Sequence, residues 1–124
     1  MLNIRQRQEE TNMPFINIRT NAQFNKGREL KIKTELGEAI RLIPGKSEDW
    51  LMIGLDQQIM YFKGTNEPAA IAEISIYGDP DKSALDKLTA KVTEVLAEQL
   101  TVKPNRIYVS YFTTPNWGWN GSNF

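Results

Sequence analysis

The chain of 124 residues contains neither cysteine nor histidine, and each absence removes a family of chemistries. Without cysteine there is no disulfide framework, thiolate nucleophile or sulfur-ligated metal. Without histidine there is no imidazole to hold a metal or move a proton near neutral pH. An excess of one charge is also missing: fifteen Lys and Arg balance fifteen Asp and Glu, for a formal net charge of zero. No global field therefore draws the molecule to nucleic acid or to an anionic membrane. The longest apolar runs, such as residues 50–55, are far too short to cross a bilayer. The N-terminus carries Arg5, Arg7, Glu9 and Glu10 where a signal peptide needs its apolar core, so the expected address is the cytosol. A general acid or base must then be a carboxylate, lysine or tyrosine of strongly shifted pKa, or the α-amino group, whose ordinary value of about 7.7–8.0 already lies close.

What is present is ordinary for one globular domain: 40% hydrophobic and 24% charged residues in 14.2 kDa. Residues 1–12 are polar and lack both strand alternation and a helical face, so 1–13 reads as an N-terminal extension and 14–124 as the domain. Gln8-Glu9-Glu10 can be encoded CAG GAG GAA, which contains the ribosome-binding sequence AGGAGG just ahead of Met13; Met13 is thus the expected natural start.

Alternation over residues 15–20 predicts a first strand, and Leu30, Ile32, Leu36, Ala39, Ile40 and Ile43 predict a helix over 27–43, stopped by Pro44-Gly45. Residues 50–55 read as a second strand, 60–62 as a short third and 70–77 as a fourth. A second helix follows, with Asp79 as cap, Pro80 in its first turn and Leu85, Leu88, Val92, Val95, Leu96 and Leu100 as its buried stripe. Residues 106–112 make an aromatic, β-branched strand before a tail with Trp117, Trp119 and Phe124. The order gives two pseudo-symmetric β-α-β units, hence an α+β two-layer sandwich: one four-stranded mixed sheet with two helices on a single face. Its other face is left bare, and strands as apolar as 50–55 and 107–112 would expose a large patch there, so oligomerisation through the sheets is expected.

In detail the chain resembles the macrophage migration inhibitory factor and D-dopachrome tautomerase family of the tautomerase superfamily. The resemblance rests on Met13-Pro14, Thr20-Asn21, Pro44-Gly45-Lys46, Phe62-Lys63-Gly64 with Asn66-Glu67-Pro68, Ser75-Ile76, Arg106-Ile107-Tyr108, Gly118-Trp119-Asn120 and Phe124, in order over 13–124. It implies a homotrimer whose three sheets form a central barrel, and cofactor-independent keto–enol tautomerisation of phenylpyruvate-like α-keto acids in pockets between subunits. Pro14, freed of Met13, corresponds to the catalytic N-terminal proline. Lys46 and the Ile76 backbone N–H match groups that hold the substrate carboxylate or carbonyl. Tyr108, from the adjacent subunit, and Trp119 match pocket residues, and Trp50 and Phe124 fall where an aromatic often stands at the pocket mouth.

The chain also departs from the family pattern. Ser110 stands where a well-studied member has Asn, which alters one pocket hydrogen bond, and Ala69 and Ala72 replace a thiol pair that some members carry. If residues 1–13 stay attached, the Pro14 nitrogen is an amide with no basic lone pair. Each residue also has a plainer reading: Pro14 as a strand-start residue fixing φ, Lys46 as a solvated loop lysine, Tyr108 as a cross-strand aromatic, Trp119 and Phe124 as shields of a subunit edge. Two rival functions stand beside the enzyme: a cytokine-like protein, released without a signal peptide, that binds a host receptor, and an inactive trimeric scaffold. Asp79, Asp81 and Asp86 lack the glycine-bearing loop of a calcium site, so no metal is expected, and no glycine run cradles a phosphate.

Overall fold

A computed structural model describes residues 13–124; the expected extension lies, but for Met13, outside the described residues. Strand β1 (Pro14–Thr20) is followed by helix α1 (Lys26–Ala39), strand β2 (Met52–Gln57), strand β3 (Ala70–Tyr77), helix α2 (Lys82–Leu100) and strand β4 (Ile107–Thr114). The sheet order is β2-β1-β3-β4, with β1 parallel to β2, antiparallel to β3, and β3 parallel to β4. This is the mixed sheet required by two crossover units joined back to back.

Alternation sets the two faces. Ile16 and Ile18 of β1 and Ala72, Ile74 and Ile76 of β3 bury against Ile32, Leu36 and Ile40 of the first helical segment and Leu88, Val92, Val95 and Leu96 of α2. The two helices are also clipped together: Arg28 donates to Gln99 at 2.9 Å and Gln99 donates to Glu35 at 3.2 Å, so the buried amide is satisfied. Tyr111 ties β4 to α2, its hydroxyl 2.8 Å from that of Thr89 and donating to the Leu85 carbonyl at 3.1 Å; burial raises its pKa.

Several expectations need correction. Leu30 is 52% exposed, because two residues before the buried Ile32 is about 200° around the helix. The α-helix stops at Ala39 and tightens into a 3-10 turn at Ile40–Leu42 ahead of Pro44. Trp50 belongs to a second 3-10 turn, Glu48–Trp50, and the strand starts only at Met52. Residues 60–62 form no strand: Lys63 and Gly64 turn the chain back at φ 53° and 77°, leaving one isolated bridge, Phe62 to Thr65. Asp81 caps α2, accepting from the Ala84 N–H at 2.9 Å, and Asp79 and Pro80 precede the cap.

The bare face is also less apolar than expected. Ile53, Leu55, Ile107, Val109 and Tyr111 pack towards the helices, while Met52, Tyr108 and Phe112 are exposed. Between them lies an Arg19–Glu73 ion pair at 2.7 Å, with Asn17 and Ser110 in register beside Glu73.

The 58–69 connection has little regular structure and is held by side chains. Asn21 donates to the carbonyls of Met60, Asn66 and Glu67 and accepts from the Ala69 N–H. Buried Arg106 donates to the Pro68 and Glu67 carbonyls at 2.9 and 3.0 Å, with its guanidinium over Phe62. Arg106→Ala leaves the Pro68 carbonyl without its donor and removes a charge-assisted set, so it should cost about 2–3 kcal/mol in denaturant unfolding. Arg106→Lys should recover only part, because one ammonium cannot reproduce the fork.

Candidate active site

Three segments converge at the end of the sheet where β1 begins. Proline is tolerated in a central strand at its first residue, where no ladder donor is needed, and Pro14 opens β1 in register with Ile76. Pro14 and Met13 are both buried, Met13 to 4% exposure, and the Tyr77 N–H points to the Met13 carbonyl at 3.4 Å. The turn after the first helical segment brings in the cation. Gly45 takes φ 82°, the Lys46 N–H bonds to the Ile43 carbonyl at 3.0 Å, and the Lys46 ammonium donates to the Tyr77 carbonyl at 2.9 Å. Lys46 therefore ends beside the neighbour of Pro14's register partner. Its half-burial penalises the charged form and lowers its pKa to about 8.

Aromatic pairs stand near this convergence. Tyr77 meets Phe124 edge-on at 5.5 Å, and Trp50 meets Trp119 at 5.0 Å and 87°. Trp119 is delivered by a ribbon of two short strands, β5 (Gly118–Trp119) and β6 (Ser122–Asn123), turned by Asn120-Gly121 at φ 52° and 83°. A cleft of about 360 Å3 opens beside Lys46, Tyr77 and Asp79. A larger recess of about 590 Å3 lies beyond the far end of β1, between Gln57 and Asn66, where the Asn21 side chain is already engaged. It has no part in the Pro14 cluster.

Pro14, Ile76 and Lys46 are thus brought together, and Trp50, Trp119 and Phe124 form aromatic pairs, Phe124 on Tyr77. Tyr108 and Ser110 are not brought to Pro14 within one protomer. Ile76 pairs with Thr113, five residues along β4 from Tyr108, which at about 3.3 Å per residue is a separation of about 16 Å. Tyr108 is 59% exposed and packs on Phe62. Sequence reasoning missed Tyr77, which carries no signal beyond following Ile76, and the ribbon, for which the Asn-Gly pair is a direct signal. Among the described residues no three acidic, Cys or His side chains gather as a metal site, and no helix is long and apolar enough to cross a membrane.

A four-stranded mixed sheet with two helices on one face is the tautomerase-superfamily architecture. Within that superfamily the chain belongs to the macrophage migration inhibitory factor family, whose model matches residues 13–124. It is 30% identical to macrophage migration inhibitory factor of Xenopus laevis over 118 residues, covering 90% of this chain and 99% of that protein. Among solved structures, Leishmania major MIF2 superposes with a TM-score of 0.84 at 27% identity, covering 91% and 98% of the two chains. The macrophage migration inhibitory factor homologue of Prochlorococcus marinus does so with 0.80 at 27%, covering 89% and 98%. Membership supports a tautomerase-superfamily or cytokine-like function in general terms.

Proposed function

We propose that this protein is a cofactor-independent keto–enol tautomerase of phenylpyruvate-like α-keto acids, acting in the cytosol with Pro14 as acid and base. The observation that carries the reading is the convergence of Pro14, Ile76 and Lys46 at one end of the sheet. A proton α to a carbonyl is removed by a base that is neutral at working pH, with a donor or cation to steady the enolate oxygen. The neutral secondary amine of a Pro14 freed of Met13 takes that proton. The resulting ammonium returns it to the other end of the enolate, so the amine is regenerated and no cofactor is consumed. Burial beside apolar strands and the Lys46 cation both disfavour a protonated Pro14 at rest. Lys46 pairs with the substrate carboxylate and the Ile76 N–H with the carbonyl, while Trp50, Trp119 and Phe124 enclose the ring.

The working form starts at Pro14 and is a homotrimer, the bare sheet faces closing on one another. Tyr108 and Ser110 then reach the pocket from a neighbouring subunit. That arrangement agrees with their exposure on the edge strand β4 and their distance from Pro14 in their own chain.

The test compares protein 14–124 with the full chain for phenylpyruvate enolisation, and weighs both by native mass spectrometry. Turnover confined to the trimmed trimer is expected. Equal turnover by both forms, or none by the trimmed one, rejects the assignment. Receptor binding by an inactive trimmed trimer would support the cytokine-like role instead.

A further inference from the structure

Helix α1 carries a glycine in its interior, Gly37, although glycine is the poorest helix former after proline. Its φ is not positive, so no unusual backbone conformation calls for glycine there. What its missing side chain gives is room. A Cβ at position 37 would overlap the carboxylate of Glu48, lying 2.6 Å from Cδ and 3.0 Å from Cγ. Gly37 is buried while Glu48 is exposed, so the Glu48 side chain lies across the helix surface as a cover. Lys33, one helical turn before Gly37, holds the same carboxylate at 3.5 Å.

Glu48 lies between two groups of the site. Two residues before it, Lys46 reaches the Tyr77 carbonyl; two residues after it, Trp50 closes the 3-10 turn and meets Trp119. The main chain between is tied by the Leu51 N–H to the Glu48 carbonyl at 3.1 Å. We propose that Glu48, seated on Gly37, is a positioning residue that fixes the 44–50 loop to α1 and so sets where Lys46 and Trp50 meet the substrate. The contact depends on shape first, because Gly37 provides the seat, and on the Lys33 charge second. The inference deepens the tautomerase reading and rests on it for its kinetic effect, but the clip itself does not.

The test uses protein 14–124 carrying Gly37→Ala, Glu48→Ala, both changes, or Glu48→Gln. Gly37→Ala should raise KM for phenylpyruvate about three- to tenfold with kcat little changed, since ground-state positioning is what it disturbs. The near-ultraviolet circular dichroism of the Trp50–Trp119 pair, assigned with Trp50→Phe, should fall in parallel. The melting temperature should hold or rise, because alanine favours the helix; mere structural damage would lower it. In the Glu48→Ala background Gly37→Ala should add nothing to either readout, and Glu48→Gln, which keeps the shape, should stay near the parent. Additive effects of the two changes, or an unaltered tryptophan signal with Gly37→Ala, overturn the proposal. Absence of turnover in every form would overturn the enzyme assignment, while the tryptophan signal would still decide the clip.

Discussion

Pro14→Gly in the 14–124 protein is expected to lower kcat/KM for phenylpyruvate about 10²- to 10³-fold while the trimer and its melting transition persist. Glycine leaves an amine at the same place, but a primary one on a backbone no longer fixed at φ near −65°. The lone pair is then poorly aimed, and its unperturbed pKa of about 7.7–8.0 must be shifted by the same surroundings without the ring's help in excluding water. Keeping Met13 attached to an unaltered Pro14 should remove turnover altogether, because an amide nitrogen has no basic lone pair. Met13 is buried in the intact chain and its carbonyl faces the Tyr77 N–H, so steric closure adds to the chemical one. Steady-state enolisation of the matched proteins checks both statements, and unchanged turnover with Pro14→Gly removes proline as the base.

Lys46→Ala is expected to raise KM about 10²-fold, since a charge-assisted pair with the substrate carboxylate is worth about 1.5–3 kcal/mol and the neighbouring Pro14 loses a cation that favours its neutral form. The pH profile gives a sharper reading. Lys46 ionises at about 8 instead of 10.5, so its charge is largely present at pH 7 and is lost as pH rises through 8. Carboxylate affinity should therefore fall above pH 8, giving kcat/KM an alkaline limb, while protonation of Pro14 gives the acid limb. For folding the sign is opposite: burial penalises the ammonium, so its cost to stability is present below about pH 8 and lessens as pH rises towards 10.5. Lys46→Arg keeps its charge across the range and should flatten the alkaline limb. An alkaline limb unaltered by Lys46→Arg would assign that titration to another group.

The long stripe of α2 was readable, because Leu88, Val92, Val95, Leu96 and Leu100 repeat at the helical period and bury as a unit. Strands β1 and β3 were equally legible from their alternation, with β1 starting one residue earlier, at Pro14. The apolar pattern places the second strand two residues early, because Trp50 is apolar for an aromatic contact with Trp119 and not for a place in the sheet. The apolar triplet at 60–62 misled for a similar reason: a β-like composition does not make a strand where Lys63-Gly64 reverses the chain at once. In the candidate site, the absence of imidazole and thiol leaves the α-amino group as one of few bases near neutral pH, and the family resemblance of the ordered motifs is what singles out Pro14 and Lys46. Tyr77 has no such signal.

Composition and spacing by themselves determined that the chain lacks imidazole and thiol chemistry and builds two β-α-β units. These are properties of residue type and periodicity, which are local. Only the tertiary structure decided that Lys46 meets the Tyr77 carbonyl next to Pro14's partner, that Trp50 and Trp119 pack together, and that Tyr108 is directed away from its own Pro14. Those relations depend on strand register and on how two crossovers fold over one sheet, and a shift of a single residue in register would have turned the same side chains to the opposite face.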